Sequence, residues 1–252
     1  MNFDKLVALV TGGGSGIGYA CVRALLRGGA RVAMAGRNKE KLDAARKKLV
    51  ENDAVPESSI MAVCADVTDA SAVRSMFERV ENAWGPVMAL VNNAGVSGGR
   101  KLLSEITEEE WDRLMTANLR GLYLCTKAAL PAMYANRWGR IVNISSVQAV
   151  SAKLMASAHY ATTKGGIAAF TRRVAMEAAP QGVVMNCVAP GLIADTGFPD
   201  VKGELLQRYL ALIPVNRPGT CEEVAELVAF LCSVHAGYIV GQTIVMDGGS
   251  SI

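Results

Sequence analysis

The apolar residues of the chain alternate between short continuous runs and longer stretches in which they recur at helical spacing. Residues 5–11 are a nearly continuous apolar run, typical of a strand covered on both faces in a parallel sheet. From Ile17 the apolar residues recur with the period of a helix, and the Gly28-Gly29 pair ends that pattern. The same alternation predicts further strands at 31–36, 60–65, 87–91, 140–145, 183–188 and 243–246, and helices at 39–49, 70–84, 108–135, 160–179 and 222–232.

This order of elements predicts the fold class. Repeated strand–helix units with right-handed crossovers give an α/β fold, a doubly wound, Rossmann-like parallel sheet of about seven strands with helices on both faces. A chain of 252 residues can form one such domain, and no Pro/Ser linker, repeat or low-complexity tract divides it. We therefore expect a single domain over residues 1–252, with its site at the carboxyl ends of the strands.

The charge distribution argues against several classes of partner. The 26 basic and 23 acidic residues are spread along the chain and leave a net charge of +3, which favours neither a nucleic-acid footprint nor a polybasic membrane patch. No apolar stretch approaches the roughly 20 residues that a membrane span needs. Residues 1–5 run into the first strand without a signal sequence, so we expect a cytoplasmic protein without membrane or nucleic-acid partners.

The cysteines and histidines limit the available chemistry. The six cysteines are scattered without a Cys-x-x-Cys pair, which indicates small core residues in a reducing compartment. With two histidines and no clustered ligands, a metal site is not expected. Acid/base chemistry must therefore use other side chains.

A glycine-dense loop joins the first strand to the first helix, with the pattern Thr-Gly-x-x-x-Gly-x-Gly over residues 11–18. Glycines let the backbone turn sharply and approach a pyrophosphate, and the free N–H groups at the start of the following helix favour an anion. A plain glycine turn is the alternative, although the strand before it and the helix after it favour a dinucleotide site. The predicted contacts are Gly12, Gly14, Ser15, Gly16, Ile17 and Gly18.

The end of the second strand indicates which dinucleotide binds. An acidic residue there would bind a ribose 2′-hydroxyl, whereas a cation suits a 2′-phosphate. The chain has Gly36-Arg37-Asn38, with a guanidinium and no carboxylate, so NADP(H) is the predicted cofactor and NAD(H) is the alternative. Arg37 as a solvated helix-start residue is the competing interpretation.

Two further strand ends are predicted to line the same cofactor. Asp66 and Val67 follow the third strand, and the Asp66 carboxylate would either accept a hydrogen bond from the adenine amino group or cap the next helix. Asn93, Ala94 and Gly95 follow the fourth strand, where small residues would let the chain pass close to the cofactor or only form a tight turn.

Tyr160 and Lys164 carry the predicted chemistry. They are four residues apart on a helix and therefore share one face. A free phenol has a pKa of about 10. An adjacent ammonium, together with the positive nicotinamide of an oxidised cofactor, would lower that pKa and make the phenol an acid/base group.

Two polar residues are candidates to assist. Ser146 ends the fifth strand, where its hydroxyl would orient a substrate carbonyl and stabilise negative charge. Ser145 is its rival, although strand alternation points it the opposite way. Asn118 interrupts a favourable helical stretch, either in a special role or as a satisfied core asparagine.

Together these residues resemble the short-chain dehydrogenase/reductase family in its single-domain branch. The resemblance implies that Tyr160 is the acid/base and that Ser146 polarises the carbonyl. It also implies that Lys164 binds the nicotinamide ribose and that Asn118 holds a water that passes protons onward. The motifs that occur in the family's order and approximate spacing are 11–18, 92–95, Asn118, Ser146, Tyr160, Lys164, Pro190-Gly191 and 247–249.

The chain departs from the family pattern at two places. After Pro190-Gly191 the family contacts the nicotinamide carboxamide, and a threonine is expected at position 195, where this chain has Asp195 followed by Thr196. The interval from Ser146 to Tyr160 is one residue longer than the commonest family spacing, and we expect the extra residue in the loop 148–158. The contacts that the resemblance implies here are Pro190, Gly191, Ile193 and Thr196.

Within the family, the segments 217–219, 222–225 and 241–243 look most like those of 3-oxoacyl-thioester (acyl-carrier-protein) reductases. The predicted function is NADPH-dependent reduction of a 3-oxoacyl thioester, or a related ketone, to a secondary alcohol. Arg137 matches a basic position that carrier-protein substrates use, whereas Gln181 stands where a second basic residue is expected.

Two other functions compete with this prediction. One is an NAD(P)-dependent dehydrogenase that oxidises a sugar, a steroid or a small secondary alcohol. The other is a non-catalytic NADP-sensing protein, which the complete set of tyrosine, lysine and serine disfavours. The resemblance also implies a two-fold symmetric homotetramer built through the helices near 108–135 and 160–179 and through the C-terminal region.

Overall fold

One parallel sheet organises the chain in a computed structural model that describes residues 1–152, 156–196 and 203–252. Its seven strands are β1 (Val7–Thr11), β2 (Arg31–Gly36), β3 (Ile60–Cys64), β4 (Ala89–Asn92), β5 (Gly139–Ile144), β6 (Val183–Pro190) and β7 (Thr243–Met246). They lie in the order β3-β2-β1-β4-β5-β6-β7. The predicted fold class is confirmed. The strand order reverses between β1 and β4, where a doubly wound sheet opens a crevice at the carboxyl ends of its strands.

Helices pack on both faces of this sheet. They are α1 (Gly16–Arg27), α2 (Lys39–Asn52), α3 (Ala70–Trp84), α4 (Glu108–Met115), α5 (Gly121–Ala135), α6 (Ala158–Ala178), α7 (Gly203–Leu210) and α8 (Cys221–Cys232). Buried side chains of α1, α2 and α8 form the core on one face, and those of α3, α5 and α6 form the core on the other. None of the helices within the described ranges has the length and apolar content needed to cross a bilayer.

Alternation along β1 shows why its apolar run is continuous. Ala8 and Val10 contribute to one core and Val7 and Leu9 to the other, so every position is buried. A strand covered by helices on both faces excludes polar residues from both of its sides.

The stretch 108–135 is helical, as predicted, although a π-helical turn, Thr116–Arg120, lies between α4 and α5. The sequence analysis assigned no helix or strand to the stretch 195–214, whereas the structure has α7 there. Residues 153–155, in the loop 148–158, and residues 197–202 lie outside the described residues.

Candidate active site

Two adjoining cavities run along the carboxyl ends of the strands. One has a volume of about 380 Å³ and extends from the glycine loop to α6. The other has a volume of about 480 Å³ and extends from the same loop to the ends of β2 and β3. Since Gly12, Ser15, Ala94, Gly95 and Val96 line both cavities, the two form one groove. This groove lies at the edge of the sheet that the sequence predicted.

Nearly all of the predicted site residues line this groove. The first cavity, which we call the reaction cavity, includes Gly12, Ser15, Gly16, Ile17, Asn93, Ala94, Gly95, Ser146, Tyr160, Lys164, Pro190, Gly191, Ile193 and Thr196. The second, the nucleotide cavity, adds Gly14, Arg37, Asn38, Asp66 and Val67. Two predicted residues, Gly18 and Asn118, line neither cavity and lie behind the groove wall.

The geometry of the glycine loop fits a diphosphate. Gly12 has a φ of +66°, which favours glycine, and a Cβ at Gly18 would lie 2.2 Å from the Gly12 carbonyl oxygen. The Asn93 amide donates to the carbonyl oxygens of Thr11 and Gly12 at 3.0 and 3.2 Å, which ties the loop to the end of β4. Ser15 precedes α1 without making a side-chain cap, so that helix presents uncapped N–H groups to the groove.

The nucleotide cavity has mixed charge. Arg37 lines it with an exposed side chain, and Asn38 caps α2 by accepting a hydrogen bond from the Lys41 amide at 2.7 Å. The expectation that no carboxylate stands near Arg37 is incomplete, because Glu40 lines the same cavity. Lys41 lines it too and supplies a second cation, which the sequence analysis missed.

Asp66 does not cap a helix. Its Oδ1 accepts hydrogen bonds from the amide and hydroxyl of Thr68, at 2.9 and 2.8 Å, and closes a local turn. Helix α3 is capped instead by Asp69, whose carboxylate accepts from the amides of Ser71 and Ala72. The helix-cap interpretation of Asp66 is therefore wrong, and Asp66 lines the nucleotide cavity.

Ser146, Tyr160 and Lys164 meet in the reaction cavity. The phenol of Tyr160 is hydrogen-bonded to the Ser146 hydroxyl. The Lys164 ammonium lies 5.6 Å from the centroid of the Tyr160 ring and donates a hydrogen bond to the Ile144 carbonyl oxygen at 3.1 Å. Helix α6 therefore presents both of its functional side chains to the end of β5, as the spacing of four residues predicted.

The electrostatics of this cluster differ from the prediction. Burial raises the pKa of the Tyr160 phenol, and the hydrogen bond with Ser146 offsets only part of that rise. Burial also lowers the pKa of the Lys164 ammonium to about 8. In the protein alone, desolvation of the phenol therefore dominates, and the combined effect of Lys164 and an oxidised nicotinamide stays a prediction. At neutral pH Tyr160 keeps its proton.

Ser145 lines the reaction cavity beside Ser146, whereas Asn118 lies behind its wall. The Ser145 hydroxyl donates to the Lys164 main-chain carbonyl oxygen at 2.8 Å. The Asn118 amide nitrogen donates to the Val96 carbonyl oxygen and to the Thr163 hydroxyl, and its oxygen accepts from the Val96 amide. Both N–H groups of Asn118 are therefore used within the protein, as in a satisfied core asparagine.

The segment after β6 explains one departure from the family pattern. Asp195 has a φ of +57° and is exposed, whereas Thr196 lines the reaction cavity. A β-branched threonine is strained at positive φ, whereas aspartate tolerates it. The threonine is therefore displaced by one position, and it lies against the glycine loop, with its Cα 3.3 Å from where a Cβ on Gly16 would be.

The sequence analysis missed the outer wall of the reaction cavity. Tyr209 on α7 packs with Val147 and Leu192 there, and Arg100 lies at the rim. Leu206, Tyr209 and Leu210 have the helical spacing i, i+3 and i+4, which was the available signal for α7.

Comparison with known proteins agrees with this geometry. A family described as "Enoyl-(Acyl carrier protein) reductase" matches residues 12–251. The chain is 38% identical to a 3-oxoacyl-acyl-carrier-protein reductase of Staphylococcus aureus and 36% identical to one of Aquifex aeolicus, over 96% of each chain in both cases. The structure of a 3-oxoacyl-acyl-carrier-protein reductase from Brucella melitensis superimposes with a TM-score of 0.92 at 29% identity, covering 100% of this chain and 93% of that one.

The match spans both the glycine loop and the Ser146, Tyr160 and Lys164 cluster. The sequence-based resemblance is confirmed. The chain belongs to the short-chain dehydrogenase/reductase family, and it is an oxidoreductase that uses a nicotinamide cofactor to interconvert a carbonyl and an alcohol.

Proposed function

We propose that the protein reduces 3-oxoacyl thioesters to 3-hydroxyacyl thioesters with NADPH. The observation that carries the proposal is the pair of hydroxyls of Ser146 and Tyr160, hydrogen-bonded to each other in one cavity. Two converging O–H groups suit a single carbonyl oxygen, which can accept both hydrogen bonds. The curated relatives, which are 3-oxoacyl reductases, support the thioester class.

Ser146 and Tyr160 have separate roles in the proposed reduction. A nicotinamide cofactor held along the groove by the glycine loop and Arg37 would supply a hydride to the carbonyl carbon. Tyr160, protonated because burial raises its pKa, gives its proton to the carbonyl oxygen as that oxygen gains electrons, so that C=O becomes CH–OH. Ser146 holds the same oxygen and stabilises its charge.

A substrate comparison tests the proposed reaction. We expect NADPH consumption with acetoacetyl-N-acetylcysteamine, a 3-oxoacyl thioester, and none with the crotonyl thioester, whose reducible group is a C=C bond. The family description names enoyl reductases, so this comparison separates the two chemistries. Consumption with the crotonyl thioester alone would contradict the proposal.

Ser146 and Ser145 provide a matched pair of variants. Ser146→Ala should lower kcat about 100-fold to 1000-fold, because a hydrogen bond to the developing oxyanion is lost. Ser145→Ala should keep most of the activity and lose about 1 kcal/mol of unfolding free energy, since its hydroxyl donates to the Lys164 main-chain carbonyl oxygen. Steady-state kinetics and urea unfolding measure the two effects, and the reverse pattern would assign the role to Ser145.

The preference for NADPH over NADH is assigned to Arg37. Its guanidinium lines the nucleotide cavity beside Lys41, which suits a ribose 2′-phosphate. Arg37→Gln should raise the Kd for NADPH by about 10-fold to 100-fold, the loss expected for charge-assisted hydrogen bonds, and leave the Kd for NADH nearly the same.

A control for this substitution lies two residues away. Lys39 is exposed, pairs with Asp43 and does not line the nucleotide cavity. Lys39→Gln should therefore change neither Kd appreciably. Fluorescence titration of the reduced cofactors measures all four constants, and equal loss of NADPH and NADH affinity in Arg37→Gln would remove Arg37 from this role.

Arg137 lies far from the reaction cavity of the same chain. Arg137 precedes β5, whereas Ser146 follows it, so a six-residue strand separates them by about 20 Å. The Arg137 guanidinium also donates to the Pro180 carbonyl oxygen at 3.1 Å. A carrier bound at Arg137 would therefore have to span this distance to deliver its substrate to the reaction cavity.

We also propose a cytoplasmic homotetramer of single-domain subunits. All six cysteines are free thiols and five of them are buried, which suits a reducing compartment. Exposed apolar side chains on α4, α5 and α6, namely Trp111, Tyr123 and Met176, support association through these helices. Light scattering that gives a monomer at micromolar concentration would contradict the tetramer.

A further inference from the structure

The charges that line the reaction cavity are all of one sign. Among its described lining residues only Lys164 and Arg100 carry charge, and both are cations. The Lys164 ammonium is buried and bonded to the Ile144 carbonyl oxygen. Arg100 is exposed at the rim, where a substrate would pass. The cavity therefore attracts anions and offers one accessible cation to bind them.

Arg100 is held in position by an aromatic ring. Its guanidinium carbon lies 5.0 Å from the centroid of the Tyr209 ring, and Tyr209 is itself buried against Val147 and Leu192. Arginine stacks on an aromatic ring through its flat face, which leaves its N–H groups free to bind in the plane. The stack thus orients the guanidinium without using its hydrogen-bond donors.

Arg100 and the next residue, Lys101, differ in whether their charge is part of an ion pair. Lys101 is paired with Glu110, and Lys101 does not line the reaction cavity. Within the described ranges no carboxylate pairs with Arg100. An unpaired, oriented guanidinium is suited to two parallel hydrogen bonds with a carboxylate or a phosphate.

We propose that Arg100, positioned by Tyr209, binds an anionic oxygen group on the non-reacting part of the substrate. The enzyme then selects carbonyl substrates that carry a carboxylate or a phosphate. This inference rests on the proposed reduction and adds to it the recognition of the group that does not react. The phosphate would come from a phosphopantetheine arm and the carboxylate from a free 3-oxo acid.

Three acetoacetyl substrates separate these cases. Acetoacetyl-N-acetylcysteamine is a neutral thioester, acetoacetyl-phosphopantetheine adds a phosphate, and acetoacetate carries a carboxylate. We expect the ratio of kcat/KM for one of the two anions to that for the neutral thioester to fall about 10-fold to 100-fold in Arg100→Gln. The anion whose ratio falls identifies the group that Arg100 binds. Lys101→Gln removes the same charge one residue away and should leave both ratios nearly the same.

Tyr209 is tested as a positioning residue. Tyr209→Phe keeps the ring under the guanidinium and should keep the ratio of kcat/KM, whereas Tyr209→Leu should lower it, mainly through KM. In the Arg100→Gln background Tyr209→Leu should lower the ratio no further, since both variants remove one interaction. A further fall of the same size in the double variant would assign Tyr209 a separate role.

The outcomes separate failure of this inference from failure of the proposed reaction. Ratios that are the same in the wild type and in Arg100→Gln for both anions would overturn the role of Arg100. An equal fall of the kcat/KM ratio in Lys101→Gln would overturn it too. Such a fall would indicate that the substrate responds to the long-range electrostatic field of either cation and not to a contact with Arg100. If the wild type reduces none of the three substrates, the proposed reaction fails, and this inference falls with it.

Discussion

Replacing Tyr160 with phenylalanine will lower kcat for reduction of an acetoacetyl thioester about 1000-fold. Proton transfer by a positioned side chain contributes roughly 100-fold to 10,000-fold to a rate, and the variant loses both the proton and the hydrogen bond with Ser146. The ring itself remains, so its packing beside the Lys164 ammonium is kept. We expect the Kd for NADPH, measured by fluorescence titration, to change little.

A second tyrosine provides the control. Tyr123 is exposed on α5, outside the reaction cavity, and its hydroxyl accepts a hydrogen bond from Lys127. Tyr123→Phe should keep full activity. If Tyr160→Phe kept a rate close to that of the wild type, another group would be the proton donor and the mechanism would be wrong.

Lys164→Met will abolish activity and yet stabilise the fold. Burial lowers the pKa of Lys164 from an ordinary 10.5 to about 8, so keeping the buried ammonium charged costs about 3 kcal/mol of unfolding free energy at neutral pH. Methionine has a similar shape and no charge. Loss of the hydrogen bond to the Ile144 carbonyl oxygen offsets about 1 kcal/mol of the gain.

The pH dependence of this effect has a definite sign. The unfolded chain binds more protons than the folded one between the two pKa values, so the stability of the wild type rises as the pH increases from about 8 towards 10.5. The gain in unfolding free energy of Lys164→Met over the wild type should therefore be largest below pH 8 and become smaller above it. Urea unfolding without cofactor at several pH values measures this difference.

Lys127 on α5 provides the control for the lysine substitution. Its side chain is exposed, so Lys127→Met should change neither the free energy of unfolding nor its pH dependence appreciably. A Lys164→Met variant that is less stable than the wild type at neutral pH, or an advantage that grows with pH, would show that the buried lysine is not a source of instability.

The inner strands of the sheet could be predicted from sequence because they are covered on both faces. In β2 the apolar run coincides with the strand, and the predicted bounds agree with the structure. The π-helical turn at Thr116–Arg120 could not be predicted in this way, since its residues are compatible with an ordinary helix and the signal was a single asparagine. Helix α7 was missed because its eight residues carry a short apolar pattern.

The location of the site was predictable, whereas its electrostatics were not. Tyr160 and Lys164 are four residues apart, which places both side chains on one face of α6 whatever surrounds them. Because α6 follows β5 in the chain, that face lies at the end of β5. The pKa of a phenol depends on how much water its neighbours exclude, and those neighbours come from distant parts of the chain. For the same reason Glu40 near Arg37, and Arg100 stacked on Tyr209, became apparent only in the folded structure.

The central claim is that this groove reduces a carbonyl through hydride transfer to carbon and proton transfer to oxygen. The most direct measurement supplies NADPH deuterated in turn on each face of C4 with acetoacetyl-N-acetylcysteamine, and analyses the product by mass spectrometry. We predict one deuterium on C3 of a 3-hydroxybutyryl thioester with one of the two labelled cofactors. A product without deuterium from either cofactor, or a labelled product that still contains the 3-oxo group, would contradict the claim.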